Sequence, residues 1–85
     1  MNQRLPLVAG NWKMHQTIPE AKALAGAIVK GLANQGVEVM IAPPFTALAQ
    51  VAEVLAGWPV ALGAQNLYPA DQGAFTGEIS PVMLK

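Results

Sequence analysis

Asn11 and Lys13 are the two side chains of this sequence whose types and spacing best suit them to chemistry. An amide and an ammonium two residues apart lie on one face of an extended chain, where together they offer hydrogen-bond donors and one positive charge to an anion. Preorganised at a strand end, such an ammonium stabilises negative charge developing on a reacting oxygen. Spacing alone also admits plainer roles, with Lys13 as a loop lysine reaching into solvent and Asn11 as a turn cap. His15 is tempting as an acid or base, but no carboxylate stands near it in sequence and it reads as a loop histidine. Glu20 is accounted for by a helix cap and Glu53 by a solvated helix face. Glu38 opens a strand at the end away from a site, and Asp71 and Glu78 fall in a long loop.

A strand over about residues 5–11 must present the Asn11–Lys13 pair. Within it Leu7, Ala9, Asn11 and Lys13 share one face, and Val8, Gly10 and Trp12 take the other, with Trp12 as packing against helices. The first face thus turns polar at its carboxyl end, which is where parallel α/β sheets bind ligands. Thr17-Ile18-Pro19-Glu20 has the S/T-x-x-E pattern of a capping box and predicts a helix over about 17–34. Leu24, Ala27, Ile28 and Leu32 form its apolar stripe, Lys22 and Lys30 lie on the solvated side, and Gly36 is the expected left-handed cap. Residues 37–42 predict a second strand, stopped by Pro43-Pro44. Leu48, Val51, Ala52 and Leu55 mark a second helix over about 45–56 that ends near Gly57, and residues 59–64 make a third strand.

Residues 65–79 show neither period, and their Leu67, Tyr68 and Phe75 favour docking of this loop on another surface. Gln65 falls, by alternation with Ala61 and Gly63, on the small-residue face of the third strand. There it either supports Asn11 or Lys13 by hydrogen bonding or meets only water. Ser80-Pro81 starts a helix over 80–85, about one turn long.

Strand, helix, strand, helix, strand in that order predicts parallel pairing through right-handed crossovers, hence an α/β fold. Periodicity alone does not choose between a barrel and an open doubly wound sheet. The 85 residues make one small domain with a marginal core. With five charges of each sign, the chain has no electrostatic basis for gripping nucleic acid or an anionic membrane. No apolar run reaches the roughly 20 residues of a membrane span. With Pro6 and Gly10 inside its short apolar run, the N-terminus is a poor secretory signal. The absence of cysteine rules out disulfides and thiolate sites and fits a cytoplasmic protein. A single histidine gives no metal-ligand spacing, so no metal is expected.

Three segments, Ala9-Gly10-Asn11-Trp12-Lys13-Met14, Gly63-Ala64-Gln65-Asn66 and Gly73-Ala74-Phe75-Thr76-Gly77-Glu78-Ile79-Ser80, resemble triosephosphate isomerase in order and spacing. The resemblance implies an incomplete (β/α)8-barrel segment of three parallel strands, two crossover helices and the start of a third. It implies interconversion of dihydroxyacetone phosphate and glyceraldehyde 3-phosphate through an enediolate, without metal or organic cofactor. Asn11 and Lys13 match the family's substrate contacts and shift the balance away from the plainer roles. Thr76 matches the tip of the loop that enters the neighbouring subunit of a homodimer, beside Phe75. The family's glutamate base and histidine electrophile belong to later strands, so this chain alone is expected to be inactive. Its expected partners are the remaining barrel or further copies of itself. A self-assembling module that keeps Asn11 and Lys13 without catalysis is the alternative. A small phosphate-ligand binder is weaker, since one lysine lacks a glycine-rich cradle.

Overall fold

The computed structural model describes residues 5–32 and 36–85. Strand β1 spans Leu7–Asn11, helix α1 Ile18–Gly31 and strand β2 Glu38–Ala42. A 3₁₀ turn at Phe45–Ala47 leads into helix α2, Leu48–Leu55, followed by strand β3, Val60–Leu62, and a last helical turn α3, Pro81–Leu84. The strands form one parallel sheet in the order β1-β2-β3. The arrangement is three parallel strands with crossover helices between them, the α/β fold that the element order predicts. The ladder runs slightly past the strand ends, because Glu38 N–H donates to Pro6 O and Gly63 N–H to Ile41 O, each at 2.8 Å.

Register sorts the side chains into two faces. Ala9, Met40 and Ala61 stand side by side on one, and Val8, Val39 and Val60 on the other. The second face meets the helices. Ile41 and Val60 pack there with Ala21, Ala25 and Val29 of α1 and with Ala47, Val51 and Leu55, and Trp12 and Val39 lie half-buried against them. Trp12 is therefore packing between strand and helix, as its position on the alternate face predicts. On the first face Gly63 makes room for Met40. A Cβ at Gly63 would stand 2.8 Å from the Met40 sulfur.

Helix α1 begins where the capping pattern places it. The Glu20 carboxylate reaches back and accepts both the Thr17 N–H (2.8 Å) and the Thr17 hydroxyl (2.9 Å) through Oε1. Two expectations for this helix are corrected. Its buried side is Ala21, Ala25 and Val29. Of the expected stripe, Leu24, Ile28 and Leu32 are only half-buried and Ala27 is exposed. Small side chains win the interior because they let the helix backbone approach α2 and the 3₁₀ turn closely. Gly36 does adopt a left-handed conformation (φ 70°), yet it does not cap α1, which stops at Gly31 with Leu32 extended. A glycine at the last helical position is poorly suited to prolonging the helix. The expected extension over residues 33–34 lies outside the described residues.

Helix α2 buries Val51 and Leu55, leaves Leu48 half-buried and exposes Ala52. It ends in a type II turn, with Ala56 at φ −56°, ψ 127°, Gly57 at φ 82° and Trp58 N–H donating to Leu55 O at 2.9 Å. Residues 65–79 contain no helix or strand. They are tied by Tyr68 N–H to Ile79 O (2.8 Å) and Glu78 N–H to Phe75 O (3.0 Å). Ser80 then caps α3, its Oγ accepting the Met83 N–H at 3.4 Å.

Candidate active site

Asn11 ends β1 at the carboxyl edge of the sheet, and its Oδ1 accepts the Lys13 N–H at 2.9 Å. This is an Asx turn, for which the short asparagine side chain is well suited. The turn-cap role that spacing admits for Asn11 is thus present, and its amide NH₂ is the group left to meet a ligand. Lys13 is exposed and takes a left-handed backbone (φ 54°), as does Gln16 further along the loop (φ 81°). For residues with a Cβ such a conformation costs about 1–3 kcal/mol, and it persists where surrounding contacts impose it.

A long-range contact to Lys13 comes from beyond β3. Gln65 Nε2 donates to Lys13 O at 3.0 Å and to Ala42 O at 2.9 Å, so the amide bridges the loop after β1 and the end of β2. Ala42 O also accepts the Trp12 N–H at 3.1 Å. Of the two roles open to Gln65 from sequence, the geometry contains the hydrogen-bonded one. Asn11, Lys13 and Gln65 therefore converge at the carboxyl end of the sheet, although 52 residues separate Lys13 from Gln65.

Thr76 and Phe75 belong to the long loop and both are exposed. Phe75 stacks on Tyr68 with ring centroids 4.3 Å apart and a 32° tilt, yet remains 46% exposed. Part of its apolar surface is thus satisfied inside its own loop, and Gly73 permits this. A Cβ there would fall 2.6 Å from the Phe75 ring. His15 is exposed, as a loop histidine should be. Among the described residues no three histidine or carboxylate side chains gather as a metal site would need. A cleft of about 600 Å³ lies between α2, β3 and α3 and is lined by apolar groups such as Leu48, Leu62, Ile79 and Met83, with Lys85 the one charged side chain among them. Its mainly apolar lining suits packing side chains.

Two features of the site are invisible to pattern reading. Nothing about lysine announces a left-handed backbone, and the Gln65 bridge depends on strand register between distant segments. The only available signal was the alternation placing Gln65 on the Ala61–Gly63 face.

The sequence model of one family, described as triosephosphate isomerase, matches residues 6–85. The triosephosphate isomerase of Chloroflexus aurantiacus is 56% identical over 82 residues, covering 95% of this chain and 33% of that protein. That of Roseiflexus castenholzii is 53% identical over 83 residues, covering 96% of this chain and 33% of its own length. The crystal structure of the enzyme from Bartonella henselae superposes with a TM-score of 0.86 at 38% identity, over 95% of this chain and 33% of that one. This chain spans about a third of the length of the curated relatives it matches. With three parallel strands, a polar cluster at their carboxyl end and this breadth of similarity, the chain belongs to the triosephosphate isomerase family.

Proposed function

We propose that this chain supplies the β1-to-α3 section of a triosephosphate isomerase, a glycolytic and gluconeogenic enzyme of the cytoplasm. Asn11 and Lys13 contact the triose phosphate, and Lys13 offsets the charge of the phosphorylated substrate and the enediolate-like transition state. The observation that carries this reading is the Asx turn that presents Lys13 at the carboxyl end of β1. Proton transfer between carbons needs a base and an electrophile as well. Asn11, Lys13 and Gln65 can serve as neither, so the chain by itself is inactive and works when the rest of the barrel completes the site.

The test is an isomerase assay on the purified chain, alone and mixed with a polypeptide supplying the remaining strands. The chain alone should give no turnover and the mixture should be active. Lys13→Met in the mixture should cost about 10²–10³ in kcat, the scale of losing one preorganised electrostatic contact. Turnover by the chain alone would refute the division of labour, and full activity of the Lys13→Met mixture would refute the role of Lys13.

A second reading, a self-assembling module without catalysis, draws support from the apolar surface the sheet leaves open, including Leu7 (59% exposed) and Val8 (56%). It predicts a compact oligomer that stays inactive when the complementing polypeptide is added.

A further inference from the structure

We propose that Gln65 is the positioning residue of the Lys13 loop, acting on the substrate through Lys13 without touching it. This rests on the reading of Lys13 as a substrate contact. The direction in which a side chain leaves the backbone is set by φ and ψ, the rotations joining its Cα to the peptides on either side. At Lys13 both peptides are pinned. The N–H on one side is taken by Asn11 Oδ1 and the carbonyl on the other by Gln65 Nε2. Local preference does not hold the loop, because Lys13 and Gln16 both occupy the left-handed region that residues with a Cβ avoid. The second Gln65 bond, to Ala42 O, references the loop to β2, and the Trp12 N–H bond to the same oxygen ties β1 to that point.

The chemistry of the side chain fits this duty. A primary amide carries two N–H donors on one nitrogen and can bridge two carbonyl oxygens. Glutamate has the same shape and no donors, and asparagine is one methylene shorter. The bridge also explains why the loop after β3 is joined to a site otherwise built from β1: it fixes the Lys13 loop relative to the carboxyl end of β2.

The experiment has a structural arm and a kinetic arm. In NMR spectra of the chain, Gln65 Nε2 should show through-hydrogen-bond couplings to the carbonyl carbons of Lys13 and Ala42. Lys13 should show the strong amide-to-α-proton contact of a left-handed residue. Gln65→Leu and Gln65→Glu should each abolish that contact while β2–β3 contacts persist. Absent couplings in the unmodified chain, or a left-handed Lys13 in a folded variant, would overturn the proposal. In the enzyme completed with the remaining barrel, Gln65→Leu should raise KM and lower kcat, reducing kcat/KM by about 10- to 100-fold, the scale of a misplaced contact. A fall in Vmax matching the loss of folded protein at unchanged KM would mean a merely structural role and would also overturn it. If Lys13→Met left kcat/KM untouched, the reading of Lys13 would fail, and the NMR arm would still decide whether Gln65 holds the loop.

Discussion

The carboxylate of Glu20 accepts the backbone N–H of Thr17 and, second in effect, its hydroxyl, and these bonds hold its pKa below the ordinary 4.5. A carboxyl group lowered on folding stabilises the native state above its unfolded pKa, and this contribution disappears as pH falls through the lowered folded value. Unfolding midpoints of the chain and of Glu20→Ala should therefore differ most above about pH 4.5 and converge as the solution is acidified below it. A difference that did not change with pH would mean that the charge of Glu20 contributes nothing to the start of α1. This contact was legible in the sequence because all its parts lie within four residues, Thr17 to Glu20. The strand end at Asn11 was likewise legible from a short run, whereas the strand alternation expected to carry on to Lys13 stops there, because β1 ends at Asn11 and Lys13 is left-handed. Gln65 was only half legible: alternation gave its side of the sheet, while its partners, Lys13 and Ala42, depended on a register that no local pattern encodes.

At the scale of elements, helices and strands follow from apolar runs and from punctuation by Pro43-Pro44, Gly57 and Ser80-Pro81, each of which the structure uses as a boundary. The buried side of α1 was less legible, because hydrophobic patterning gives weight to large residues such as Leu24 and Ile28. Close approach to α2 and the 3₁₀ turn instead selects Ala21 and Ala25, both with no exposed surface. Ala25→Leu should therefore be destabilising despite its greater hydrophobicity. Added methylenes in a filled space typically cost about 1–3 kcal/mol. Ala27→Leu, on the exposed side of the same helix, should change stability by no more than about 0.5 kcal/mol. Chemical denaturation of the two variants gives the comparison, and equal effects would mean that α1 does not hold Ala25 in the packed interior.

For the whole molecule, the sequential strand order β1-β2-β3 is shared by the barrel and by one common doubly wound sheet, which is why periodicity left both open. Superposition on an isomerase barrel decides it. The chain also exposes more surface than a compact monomer of its mass usually does. A folded monomer of 8.9 kDa would expose about 4,800 Å², and this chain exposes 6376 Å². Its radius of gyration is 14.4 Å, where about 12 Å is usual for 85 residues. The excess area of about 1,600 Å² is twice what one partner contributes to an interface of standard size. Leu7, Ala9 and Ala61, exposed on the face away from the helices, supply part of it, and among the described residues no strand pairs with the outer edges of β1 and β3. On the self-assembling reading, another copy of the chain covers this surface. Light scattering should accordingly give a mass above 8.9 kDa that rises with concentration. Leu7→Glu, which sets a carboxylate beside Glu38 in register on that face, should weaken the association at least about tenfold. A folded monomer at every concentration would show that the chain tolerates its open face. Loss of self-association on adding the remaining barrel would show that copy and complement compete for one surface, which ties assembly to completion of the site at Lys13.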